Sequence, residues 1–133
     1  MERDTGKTRK AGDVTAFNFE KLQVYRDAVQ FAGKIYSLTR RYPKEELFGL
    51  TSQLRRAAVS IALNIAEGSA RTKKDFGRFV DMARGSVLEC VAVIEISLGQ
   101  KYVEGVTYDD LRKDLRAISR MLSGLKRSLS EGS

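Results

Sequence analysis

Residues 47–89, LFGLTSQLRRAAVSIALNIAEGSARTKKDFGRFVDMARGSVLE, decide the fold. Apolar residues recur at every third or fourth position on both sides of Gly68-Ser69-Ala70-Arg71, so the stretch reads as two helices joined by a short turn. On a helical wheel Leu50, Leu54, Ala57, Ala58, Ile61 and Ile65 share one face of the first helix. A polar stripe of Gln53, Arg56, Ser60, Asn64 and Glu67 runs beside it. Val59, Ala62 and Ala66 occupy the remaining side, interrupted by Arg55. In the second helix Phe76, Val80, Ala83, Val87, Val91, Ile94 and Leu98 form a core face, with a second stripe of Phe79, Met82, Ser86, Cys90 and Val93. Both helices carry more apolar and small polar surface than one face of a small bundle hides. That excess points to assembly and binding rather than to catalysis.

The flanking segments supply two more helices. Upstream, a helix is expected over Phe19–Arg41, its stripe Leu22, Tyr25, Val29, Ala32, Tyr36 and Thr39 widened by Val24, Phe31, Ile35 and Leu38. Arg40 and Arg41 then fall in the last turn, where cations offset the helix dipole, and Pro43 ends the helix. Glu45 and Glu46 suit the start of the next helix, placed between Leu47 and Thr51 and running to Gly68. The third helix should span Lys73–Lys101. Gly85-Ser86 at its middle costs about 1 kcal/mol of helix propensity, a cost offset if a neighbouring helix approaches closely there. Downstream, Thr107 reads as the N-cap of a helix to Leu129, with Asp109-Asp110 in its first turn. Leu111, Leu115, Ile118, Leu122, Leu125 and Leu129 stripe one side, and Arg112, Arg116, Arg120 and Arg127 the other. Four helices with short connections give an all-α, antiparallel up-down-up-down bundle over residues 17–130. Residues 1–16 lack periodicity and read as a disordered tail whose charges nearly cancel.

Composition narrows the chemistry. The 133 residues suffice for one domain, and no run of about 18 apolar residues is present to span a membrane. The N-terminal segment lacks the apolar core of a signal peptide, so a cytoplasmic protein is expected. Cys90, the sole cysteine, sits among Leu88, Val91 and Val93 and reads as a buried, inert thiol. Histidine is absent, which removes Ser-His and Cys-His pairs and the His-containing metal sites of bundles. No catalytic residue, metal ligand or cofactor is therefore assigned, and no glycine loop of the phosphate-cradling type exists.

The net charge of +7 suits a polyanionic partner. Two basic groups stand out: Arg71, Lys73, Lys74 and Arg78 around the central turn, and Arg112, Arg116, Arg120 and Arg127 along the last helix. They read either as a solvated surface or as contacts to nucleic-acid phosphates. No aromatic residues are interleaved as stacking platforms, so sequence-specific single-strand recognition is not indicated. The polar residues Gln53, Arg56, Ser60, Asn64 and Glu67, with Ser86 and Glu89, read as a structural network. In the expected antiparallel register Arg56 lies level with Ser86 and within reach of Glu89, and Asn64 and Glu67 near Arg78 and Lys74. Contacts across a subunit interface, or a ligand site, are the other readings of the same stripe.

The segment TSQLRRAAVSIALNIAEGSAR, followed by FGRFVDMARGSVLE, resembles the 23S rRNA-intervening sequence proteins, a bacterial four-helix-bundle family. The matching positions are Leu50, Gln53, Arg56, Ala57, Ser60, Ile61, Asn64, Ile65, Ala66, Glu67 and Gly68, then Phe76, Phe79, Gly85, Ser86 and Glu89. The opening FEKLQVYRDAV and the link YPKEELFGL are also similar, so the resemblance covers about residues 17–127. It implies a bundle that assembles into a ring-like homo-pentamer, with no established enzymatic role. Related bundles serve as accessory proteins of diversity-generating retroelements, where a basic pentamer binds reverse transcriptase and nucleic acid. The expected function is a non-enzymatic, homo-oligomeric bundle that binds RNA or DNA through backbone phosphates. The alternative is a scaffold or accessory subunit for a protein partner, with charge serving only to steer it. A helical-bundle ribonuclease would need the histidine this chain lacks.

Overall fold

A computed structural model describes residues 17–131; the expected tail at 1–16 lies outside them. A 3-10 turn, Asn18–Lys21, leads into α1 (Gln23–Thr39). A second 3-10 turn, Lys44–Glu46, precedes α2 (Leu50–Ser69), and α3 (Lys73–Gly99) and α4 (Gly105–Ser130) complete the chain. Each helix packs on the next, and α4 closes back on α1, which gives the up-down-up-down bundle. The α2–α3 pair is the most extensively packed and α1–α4 the least.

The core is a single cluster in which Phe31, Ile35, Leu54, Ile61, Ile65, Ile94, Leu115, Ile118 and Leu122 are the largest fully buried side chains. Expected core faces of α2, α3 and α4 all reach it. Helix α1 is rotated from its expected setting. Val24, Ala28, Phe31, Ile35 and Leu38 are buried, whereas Val29 and Tyr36 are exposed. Both candidate stripes are apolar, and the inner one holds Ala28 and Phe31, a small and a large side chain that fit against α2 and α4.

Three helix ends differ from expectation. Helix α1 starts after Leu22, whose carbonyl accepts from Tyr25 and Arg26, because residues 18–21 wind more tightly. It also ends at Thr39, so Arg40 and Arg41 lie beyond its last turn. Helix α4 begins at Gly105, about half a turn ahead of Thr107. Glu104 is its N-cap and makes no side-chain cap bond, and its carbonyl takes the Tyr108 N–H at 2.8 Å.

The close approach expected at Gly85 is found instead at Gly68. A methyl group on Gly68 would stand 2.6 Å from Phe79 Cβ and 2.8 Å from Phe76 Cδ1, whereas one on Gly85 would meet nothing within 4 Å. Glycine at the end of α2 lets two aromatic side chains of α3 lie against its backbone. The α2–α3 register is accordingly one helical turn from the expected one: Ser60, not Arg56, lies level with Ser86. The loop through Arg71 carries the chain past the end of α2 before α3 begins, so the first turn of α3 overhangs it.

At the opposite end of the bundle one carboxylate ties the two connections together. Glu46 Oε1 accepts the Leu50 N–H at 3.1 Å, capping α2, and Oε2 accepts the Tyr102 hydroxyl at 3.1 Å. Tyr102 in turn packs on Tyr42, ring centroids 5.3 Å apart.

Candidate nucleic-acid interface and assembly face

Helix α4 sorts its charges by direction. On the side facing α1, Asp114 and Asp110 accept from Lys34 Nζ at 2.7 and 3.4 Å. The hydrogen bond to Asp114 raises the Lys34 pKa against the desolvation that opposes it. On the side facing α3, Lys126 pairs with Asp81 and holds that carboxyl below its usual range. Arg112 lies 3.6 Å from Glu95 and donates to the Tyr108 hydroxyl at 3.1 Å, with its guanidinium over the Tyr108 ring. Arg116, Arg120 and Arg127 project outward, exposed and without an ion pair among the described residues. At 100° per residue they lie within about 40° of one another, on a single ridge.

The basic group at the central turn divides in the same way. Thr72 caps α3 by accepting the Asp75 N–H at 3.2 Å, which places Lys73 and Lys74 in the first turn, exposed and unpaired among the described residues. Arg71 pairs with Glu67 at 3.1 Å and covers the Phe79 ring, and Arg78 pairs with Asp75 at 3.3 Å. Because the C-terminal part of α4 packs beside the N-terminal part of α3, through Lys126 with Asp81, Lys73, Lys74 and Arg127 lie toward one end of the bundle. Of eight basic residues singled out by sequence, five are free to meet a phosphate and three are held by acids of their own chain.

The polar stripe of α2 is only half joined. Asn64 Nδ2 donates to Ser60 O at 2.9 Å and to Ser60 Oγ at 3.0 Å; Ser60 Oγ and Ser86 Oγ share a 2.8 Å bond; and Ser86 Oγ donates to Met82 O at 3.2 Å. Each hydroxyl has one proton, so these bonds run in one direction, from Asn64 through Ser60 and Ser86 to Met82. The side chains of Gln53, Arg56 and Glu89 have no hydrogen bond or ion pair among the described residues, and they line an open groove of about 300 Å³ with Ala57 and Ser60. A one-turn register shift separates Arg56 from Ser86. Glu67 turns to Arg71 rather than to Lys74.

Beside this groove lies a second, of about 410 Å³, lined by Tyr36, Arg55, Arg56, Val59, Ser60, Leu63, Asn64 and Glu67. Arg55 is fixed there by Thr39 Oγ1 at 2.8 Å and by the Tyr36 ring. Leu63, 60% exposed, forms a wall of this second groove, and on α3 Leu88 is 70%, Ile96 52% and Met82 49% exposed. The second faces of α2 and α3 are thus only partly covered within one chain, with Cys90 and Val93 buried and Met82 open. Burial pushes the Cys90 thiol up to about 12, with Glu89 adding to the effect, so it stays protonated at neutral pH. The exposed Phe48 of the α1–α2 connection was not singled out by sequence. Its signal was an apolar pair, Leu47-Phe48, outside any helical stripe.

A family model for the 23S rRNA-intervening sequence protein matches residues 20–124. The chain belongs to this family. A solved structure of similar shape is a protein with unknown function from the S23 ribosomal protein family of Bacteroides thetaiotaomicron. It is 23% identical, covers 78% of this chain and 95% of its own, and superposes with a TM-score of 0.73, so it shares the fold. A comparison with curated proteins gives no match. No helix among the described residues of this family member is long and apolar enough to cross a membrane.

Proposed function

We propose that the protein is a non-enzymatic, homo-oligomeric bundle, pentameric as the family resemblance implies, that binds RNA or DNA through backbone phosphates. The observation that carries this reading is the separation of two surfaces. The α2–α3 flank offers apolar side chains and unjoined polar groups, while the α4 ridge offers arginines with no ion pair among the described residues. Assembly through the first leaves the second open. Each copy added to an oligomer repeats the same ridge, so weak phosphate contacts combine along one polyanion.

Fluorescence anisotropy with structured RNA, duplex DNA and single strands over a salt series tests the reading. Sub-micromolar binding near physiological salt, with a steep log–log salt slope, supports it, and differences among the substrates identify the target class. Binding that vanishes by about 100 mM salt on every substrate overturns it. The scaffold reading, with a protein partner such as a reverse transcriptase, then takes its place.

A further inference from the structure

We infer that the α1–α2 connection of one copy inserts into the α2 groove of the next, with Phe48 as the anchor and Glu45 facing Arg56. The proposal rests on the self-assembly reading above and names the surfaces that meet. Phe48 is 92% exposed, yet the loop that carries it is held firmly. The Glu46 N–H donates to Pro43 O, the Leu47 N–H to Lys44 O and the Gly49 N–H to Glu46 O, while the Glu46 carboxylate binds both Leu50 and Tyr102. A large aromatic side chain on a pre-ordered loop loses little freedom on binding, which is the property of an interface anchor. Leu47 beside it is also exposed.

The groove of about 410 Å³ has room for a phenyl ring and supplies apolar walls from Tyr36, Val59 and Leu63. At its rim stands Arg56, a cation with no ion pair among the described residues. Glu45, next to the Phe48 loop, is an exposed acid with no ion pair among the described residues. The loop and the groove thus each leave one charge unpaired, and the two are of opposite sign. A chain does not fill its own groove: Phe48 is 92% exposed and is not among the residues that line it. The contact is consequently heterologous, one end of a copy against the flank of another, and repeats into a ring or a filament.

Size-exclusion chromatography with light scattering tests this on the full chain. Phe48→Ser removes the anchor and keeps the groove; Leu63→Glu removes the groove and keeps the anchor. Both positions are exposed, so circular dichroism should show intact folding. The expected result is that each variant alone is monomeric, while their equimolar mixture forms a one-to-one dimer and nothing larger. Glu45→Lys and Arg56→Glu should each weaken assembly at least tenfold and together restore it. A wild-type oligomer that persists in Phe48→Ser overturns the insertion while leaving self-assembly standing. A wild-type chain that is monomeric at every concentration overturns both.

Discussion

The α2–α3 flank and the α4 ridge differ in what internal pairing leaves behind. On α4 the acids and some cations are consumed sideways, Asp110 and Asp114 by Lys34, Arg112 by Glu95 and Lys126 by Asp81. What remains points outward and is mainly basic, Lys113, Arg116, Arg120 and Arg127 against Asp109. On the α2–α3 flank the hydroxyls and Asn64 are consumed, and what remains is mixed: Arg56, Glu89 and Gln53 among exposed leucine, isoleucine and methionine. A mainly basic surface suits a long polyanion and tolerates many registers along it. A mixed surface suits a single complementary shape. The residue left unpaired, rather than the residue present, distinguishes the two.

The largest expected effect breaks the comparison at α4. Replacing Arg116, Arg120 and Arg127 together by Glu should lower duplex affinity on the order of 100-fold and reduce the salt slope by about 0.9 for each phosphate no longer neutralised, with the oligomer unchanged. Arg112→Ala should do less than half the damage of Arg120→Ala, since Arg112 is already engaged. Equal losses in anisotropy titrations would show that internal pairing does not select the binding residues. On the other flank, Leu63→Glu should dissociate the oligomer and weaken nucleic-acid binding at least about tenfold as avidity disappears. Its urea-unfolding stability as a monomer should stay within about 0.5 kcal/mol of wild type, because Leu63 is largely exposed in its own chain.

Smaller effects sharpen the line between inner and outer faces of the α2–α3 hairpin. Gly68→Ala should destabilise by about 1–2 kcal/mol, overpacking against Phe76 and Phe79 outweighing the better helix propensity of alanine. Gly85→Ala, in open space, should stabilise the monomer by up to about 1 kcal/mol. Urea midpoints moving in opposite directions would establish the contrast. Cys90 gives the weakest signal. Its thiol should resist Ellman's reagent at pH 8 until the chain unfolds. Its folded pKa is raised, so the folded state keeps a proton that the unfolded state loses; stability should fall as pH rises from about 9 toward 12, and Cys90→Ala should flatten that decline.

The fold was readable because the leucine and isoleucine positions of α2 and α4 repeat without ambiguity. It was less readable in α1, where Tyr25, Val29 and Tyr36 form a stripe as apolar as the buried one beside it. Periodicity finds a face but does not choose between adjacent faces. Register was one turn off because helix pairing depends on how far the Ala70–Thr72 loop descends, and no spacing encodes that distance. The basic residues are legible by type, and the pairs of Arg71 with Glu67 and of Arg78 with Asp75 are local spacings, whereas the pair of Arg112 with Glu95 depends on how α4 packs on α3. Phe48 escaped notice because a lone aromatic between helices has no period.

Glu46 has a kinetic consequence. Most contacts in an up-down bundle join neighbouring helices, so they close short loops and form early. The bond from Tyr102 to Glu46 spans 56 residues and joins the first helical hairpin to the second. Such a contact forms after each hairpin has ordered, and its removal should appear almost wholly in the unfolding rate. Tyr102→Phe, which removes this bond and keeps the cap on α2, should therefore shorten the lifetime of the folded chain while leaving its folding rate nearly unchanged, so that one hydroxyl–carboxylate bond acts as a latch on persistence rather than a guide to assembly of the fold.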